Sequence, residues 1–157
     1  MEGTMKRLAL HDRKAWVEQA PIPSAHGANV VVRLESTPIC GSDKKHFLNP
    51  DKTIRYAGHE GTGVVVEVDK SNLVKVGDRV LTNCLSGCGV CEHCRSGNYV
   101  YCENKLPMDQ MASHFCQYTI LQDFLCIPLP EDISYDMGTL AGCVLAPAFQ
   151  TLQKMQV

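Results

Sequence analysis

The chain has 157 residues, 45% of them hydrophobic and 20% charged, and a formal net charge of −2. It is long enough for one globular domain to bury a core without disulfide staples. With no arginine-rich run and no basic stripe, nucleic-acid binding has no support.

Residues 1–4 precede a second methionine, Met5, and are expected to be an extension before a domain over 5–157. Residues 6–10 and 14–18 read as two short strands joined at His11-Asp12, a hairpin that Pro21 and Pro23 then break. His11 and His26 stand in turn-like contexts and are expected at the surface. Residues 30–36 (VVVRLES) are β-branched strand material, and they deliver Cys40-Gly41-Ser42-Asp43 at the strand end. Residues 44–55 are polar around Asn49-Pro50-Asp51 and read as a loop. Gly58-His59-Glu60-Gly61-Thr62-Gly63 leads into a strand over 64–68, and the turn at Gly77-Asp78 leads into another over 79–82. Residues 115–121 and 124–127 are further strand candidates, ended by Pro128 and Pro130. From Ser134 the pattern turns helical, over 135–143 and 146–156, with Pro147 near the second start. The expected fold is mainly β with peripheral helices.

The N-terminus carries no long apolar core, so no signal peptide is expected. The most apolar run, 138–149, is too short for a bilayer and contains Pro147. A cytoplasmic protein with no membrane contact is the expectation. Nine cysteines in such a chain point to metal ligation, and their odd number argues against a fully paired disulfide framework.

Four of them, Cys88, Cys91, Cys94 and Cys102, fall in the spacing C-x2-C-x2-C-x7-C. Short Cys-x2-Cys steps turn neighbouring thiolates toward one ion, and a fourth from further along closes a tetrahedron, as in structural zinc sites. Bacterial ferredoxins share C-x2-C-x2-C, but their fourth cysteine follows after three residues and precedes a proline. Here seven residues intervene and Glu103 follows. An iron cluster and disulfides remain the rival readings.

Cys40 and His59 also lie in glycine-flanked contexts at strand ends, and Cys143 sits in the turn-to-helix region. Two sulfurs and an imidazole would leave a tetrahedral zinc one open position, the arrangement of a catalytic site. Asp43 could accept a hydrogen bond from His59, and Ser42 is the nearest hydroxyl able to take a proton from an alcohol. The competing reading of Cys143 is a buried apolar residue among Leu140, Ala141, Val144 and Leu145. Cys84, Cys116 and Cys126 are expected to be packing residues.

Cys40-Gly41-Ser42-Asp43, Gly58 to Gly63, Val76-Gly77-Asp78-Arg79-Val80 and the four-cysteine loop occur in an order that resembles the zinc-dependent alcohol dehydrogenases of the medium-chain dehydrogenase/reductase family. The resemblance implies a GroES-like catalytic domain, a partly closed β-barrel. It implies two zincs per chain, a catalytic one on Cys40, His59 and Cys143 and a structural one on Cys88, Cys91, Cys94 and Cys102. Glu60 would be an acidic neighbour able to approach the catalytic zinc, Ser42 the first member of a proton relay, and Asp43 the support of His59. The implied reaction interconverts an alcohol or polyol and its carbonyl with NAD or NADP, on a small-molecule substrate, in an enzyme that is a homo-oligomer when intact. A non-catalytic zinc module serving as a scaffold is the alternative.

Three departures from the family's pattern bear on that reading. Where many members carry a relay histidine this chain has Lys45, with His46 one residue later, so either His46 completes the relay on a shifted loop or protons leave by another route. Pro147 stands four residues after Cys143, where many members have a threonine near the nicotinamide. Polyol-type members often use glutamate as third ligand, which makes Glu60 the substitute if Cys143 turns away. No G-x-G-x-x-G occurs, so a Rossmann domain is expected to follow residue 157 in the intact protein, and the isolated chain is expected not to turn over substrate.

Overall fold

The computed structural model describes residues 2–48, 57–83, 85–105 and 113–156. Cys84 and the Asn49-Pro50-Asp51 turn lie outside the described residues.

The chain opens with strands β1 (Thr4–His11) and β2 (Lys14–Pro21), an antiparallel hairpin. Its two-residue turn places Asp12 at φ 43° and Arg13 at φ 60°, the left-handed pair that matches strand twist. The first strand thus takes in Thr4. His26 is exposed as expected, whereas His11 is only half-buried at the surface and hides its Nδ1.

β3 (Asn29–Ser36), β4 (Gly61–Val68), β5 (Arg79–Thr82), β6 (Tyr118–Gln122) and β7 (Cys126–Pro128) form a second sheet in the order β6-β3-β4-β5-β7. Val30, Val31 and Val32 of β3 are all fully buried, so both faces of that strand are covered and its apolar residues run consecutively. Val30, Val32, Val65, Val80, Leu121 and Leu125 pack together with Val74 and Cys126 as the core. Each fully buried valine contributes about 1.5–3 kcal/mol. The hairpin is tied to this sheet by the bond from Leu8 N to Phe115 O (2.7 Å) and the Arg7–Cys116 bridge. The mainly β architecture is present, and its strands lie in these two sheets without closing a cylinder among the described residues.

Two register shifts, at Val31/Val32 and Leu34/Ser36, bend β3 against β4. A side chain at Gly63 would collide with the Arg33 backbone, so the glycine permits the close approach of the two strands. That approach sets the loop ahead of β4, with His59 and Glu60, beside the segment that leaves β3.

Four local expectations change, the first being that the strand expected over 115–121 begins only at Tyr118. Residues 44–48 belong to a helix, α1 (Asp43–Leu48), and not to a loop. Asp43 starts it by accepting the Cys40 N–H (2.8 Å), while Asp43 N–H reaches Cys40 O (3.0 Å). The strand expected at 124–127 begins only at Cys126, because Asp123–Leu125 is a 3₁₀ turn that drops Leu125 into the core. The helix expected over 135–143 stops early: α3 spans Tyr135–Thr139, capped by Ser134 Oγ accepting from Met137 N–H (3.2 Å). A wide turn over Ala141–Leu145 follows, with Gly142 outside helical geometry, and then α4 (Ala146–Met155). Thr62 Oγ1 donates to Tyr135 O (2.8 Å) and pins α3 on β4. Among the described residues no helix is long and apolar enough to cross a membrane.

Candidate metal centre

Two groups of ligand-type side chains converge. In the first, one atom from each of Cys88, Cys91, Cys94 and Cys102 lies within 4.8 Å of every other. Cys91 caps the short helix α2 (Glu92–Arg95), which carries Cys94, and the turn Tyr99–Tyr101 returns the chain to Cys102. Loop amides point at the sulfurs: Cys88 N–H at Cys102 Sγ (3.3 Å), Cys91 N–H at Cys88 Sγ (3.3 Å) and Cys94 N–H at Cys91 Sγ (3.5 Å). A side chain at Gly87 would meet Cys94 Sγ at 2.7 Å, and Gly89 needs φ +75°. The Val90 and Cys91 amides draw Cys88 down to about 6, and burial pushes Cys94 up to about 11.

The geometry fits a tetrahedral ion. Cys88 and Cys94 sulfurs are 3.9 Å apart. Zinc–sulfur bonds of about 2.3 Å at tetrahedral angles put sulfurs about 3.8 Å apart. The loop is fixed to the main sheet by Gln122, which donates to Gly87 O (2.7 Å) and accepts from Gly87 N–H (3.3 Å), and by Tyr99 against Phe124.

The second group is Cys40, His59, Glu60 and Cys143, again with ligand atoms all within 4.8 Å. It joins the end of the β3 segment, the entry to β4 and the wide turn ahead of α4. Sulfur, imidazole and carboxylate are all donors that zinc accepts, and the set holds one more than the three a catalytic zinc needs. His59 Nδ1 lies 3.4 Å from Asp43 Oδ1, so Asp43 sits where an outer carboxylate orients a ligand imidazole. Asp43 is buried and also accepts from Gly58 N–H (3.2 Å), which holds its carboxylate in place. Ser42 Oγ is 3.5 Å from His59 Nε2, and Glu60 Oε1 is 3.4 Å from that same nitrogen. Glu60 Oε2 accepts the Cys143 N–H (3.2 Å). Cys143 is half-buried in this group, while Lys45 and His46 stand exposed on α1 and outside it.

Cys126 packs in the core and Cys116 is half-buried; burial pushes both thiols up to about 12. His114 escaped the sequence reading. It is 4% exposed, its N–H bonds Gly58 O (3.0 Å), and neither ring nitrogen has a partner among the described residues. Burial, and then the charge of His59, hold its pKa down at about 4. No spacing marks it in the sequence, because its neighbours are set by the fold alone.

A profile of the alcohol dehydrogenase GroES-like domain matches residues 26–131. A sorbitol dehydrogenase of Bombyx mori is 32% identical over 132 residues, 78% of this chain and 38% of the relative. An L-threonine 3-dehydrogenase of a Shewanella species is 30% identical over 138 residues, 82% of this chain and 40% of the relative. The crystal structure of 2R,3R-butanediol dehydrogenase from Bacillus subtilis superposes with a TM-score of 0.71 at 26% identity, covering 87% of this chain and 44% of that one. The chain therefore spans about 40% of the length of the curated relatives it matches.

Proposed function

Since the chain belongs to the alcohol dehydrogenase GroES-like domain family, we propose that it is the catalytic-domain portion of a zinc-dependent oxidoreductase interconverting an alcohol or polyol and its carbonyl with NAD or NADP. The observation that carries this reading is the convergence of Cys40, His59, Glu60 and Cys143, apart from the four-cysteine loop. A scaffold would need only the loop. The similarity to sorbitol, threonine and butanediol dehydrogenases supports a small hydroxyl-bearing substrate.

In this reading Cys40, His59 and Cys143 would hold the catalytic zinc with Glu60 alongside, and Cys88, Cys91, Cys94 and Cys102 would hold a structural one. When bound, the zinc would supply Lewis acidity at the substrate oxygen, and NAD or NADP would supply the hydride acceptor. Asp43 fixes the ring of His59. Ser42, whose hydroxyl lies 3.5 Å from His59 Nε2, receives the substrate proton, and His46 on α1 is the next candidate on its way to solvent. Nicotinamide binding would come from a Rossmann domain of the intact enzyme, in a cytoplasmic homo-oligomer.

The test joins this chain to the Rossmann domain of a relative and follows alcohol-dependent reduction of NAD and NADP. Turnover in the joined protein that Cys40→Ala abolishes is the expected result, with none from the chain alone. Turnover that survives Cys40→Ala would overturn the assignment.

A further inference from the structure

The sequence marks Glu60 as an acidic neighbour of the metal, but the geometry gives it a second task. The wide turn over Ala141–Leu145 buries no residue, and Gly142, its second residue, leaves helical φ/ψ. Cys143 is half-buried there, and the Leu145 N–H to Leu140 O bond (2.9 Å) closes the turn around it. Across 83 residues of sequence, the Cys143 N–H donates to Glu60 Oε2 at 3.2 Å. Glu60 is 3% exposed and directly precedes β4, where Thr82 Oγ1 donates to the Gly61 carbonyl (2.9 Å), so its own backbone is anchored. Gly142 lets the turn settle on the carboxylate: a Cβ there would lie 3.3 Å from Oε2. The other oxygen, Oε1, faces His59 Nε2 at 3.4 Å.

We propose that Glu60 is the positioning residue for Cys143: by accepting the Cys143 backbone N–H it sets the thiol in register with Cys40 and His59. The bond joins two segments bearing ligand-type side chains that are remote in sequence. The inference rests on reading the group as a metal centre.

The experiment uses the full chain labelled with nitrogen-15. With one equivalent of cadmium, which the four thiolates take, amide exchange at Cys143 reads the hydrogen bond alone. With two equivalents, cadmium-113 resonances separate the four-thiolate site from the mixed one. Glu60→Ala is expected to speed Cys143 exchange about tenfold or more. It should weaken mixed-site cadmium binding roughly 10–100-fold while the four-thiolate resonance stays put. Glu60→Gln keeps a carbonyl acceptor and is expected to restore both. Gly142→Ala presses on Oε2 with Glu60 intact and should shift both readouts in the direction of Glu60→Ala, which keeps the proposal testable if that variant does not fold. Unchanged Cys143 exchange in Glu60→Ala overturns it, as does cadmium binding no better in Glu60→Gln than in Glu60→Ala. A wild-type chain that takes no second cadmium overturns the metal-centre reading instead, and leaves the exchange result to stand by itself.

Discussion

Acidification should weaken this protein through His114, and a His114→Leu variant isolates the effect. In the unfolded chain a histidine titrates near 6.5, while in the fold burial holds His114 at about 4. As pH falls below 6.5 the unfolded state takes up a proton that the folded state refuses, so stability drops with pH across that window and levels off below 4. The interval from 6.5 to about 4, at about 1.36 kcal/mol per pH unit, is worth roughly 3 kcal/mol. For a domain of this size that corresponds to roughly 6–12 °C in Tm. At pH 7 the leucine variant should be as stable as the wild type or more so, because it removes two buried nitrogens that have no partner among the described residues. The assay is urea unfolding of both proteins at several values between pH 7.5 and 4, reading the difference in stability so that other titrations cancel. The wild type should lose ground to the variant progressively below pH 6.5. A difference that stays flat with pH would refute the reasoning, and so would a wild type that gains on acidification.

Gly58→Ala should cost roughly 2–5 kcal/mol, since φ is +88° and the new methyl would lie 2.6 Å from Phe115 N; thermal unfolding checks it, and a loss under about 0.5 kcal/mol, the range of a neutral surface change, would contradict it. Cys116 and Cys126, both pushed up to about 12, should remain neutral thiols at pH 8 and resist alkylation in the folded protein. Mass-spectrometric mapping after brief iodoacetamide treatment should find both unmodified, and rapid labelling of either would count against its packing role.

What the sequence made legible follows from how local each signal is. The four-cysteine loop could be read because all four thiols lie between Cys88 and Cys102, so spacing alone constrains their geometry. β3 could be read because three consecutive β-branched residues have little use outside a doubly covered strand. The short helix α1 could not: its one buried side chain is Asp43, so it shows no apolar periodicity. The break at Gly142 was equally hidden, because an apolar run from Leu140 to Leu145 continues a helical pattern, whereas the turn is closed by the Leu145 N–H to Leu140 O bond (2.9 Å) and held from the far side by Glu60, which is remote in sequence. Cys143 and Glu60 were each singled out from sequence, but their contact spans too much chain for any spacing rule. His114 had no local mark at all.

The central claim is that this chain carries two separate metal sites, one closed and one open. Elemental analysis of metal content per chain, on wild type and Cys40→Ala, tests it most directly. Two zincs in the wild type falling to one in Cys40→Ala is the predicted result, with the four-cysteine site retained. Iron in place of zinc, or a single zinc that Cys40→Ala leaves unchanged, would contradict it.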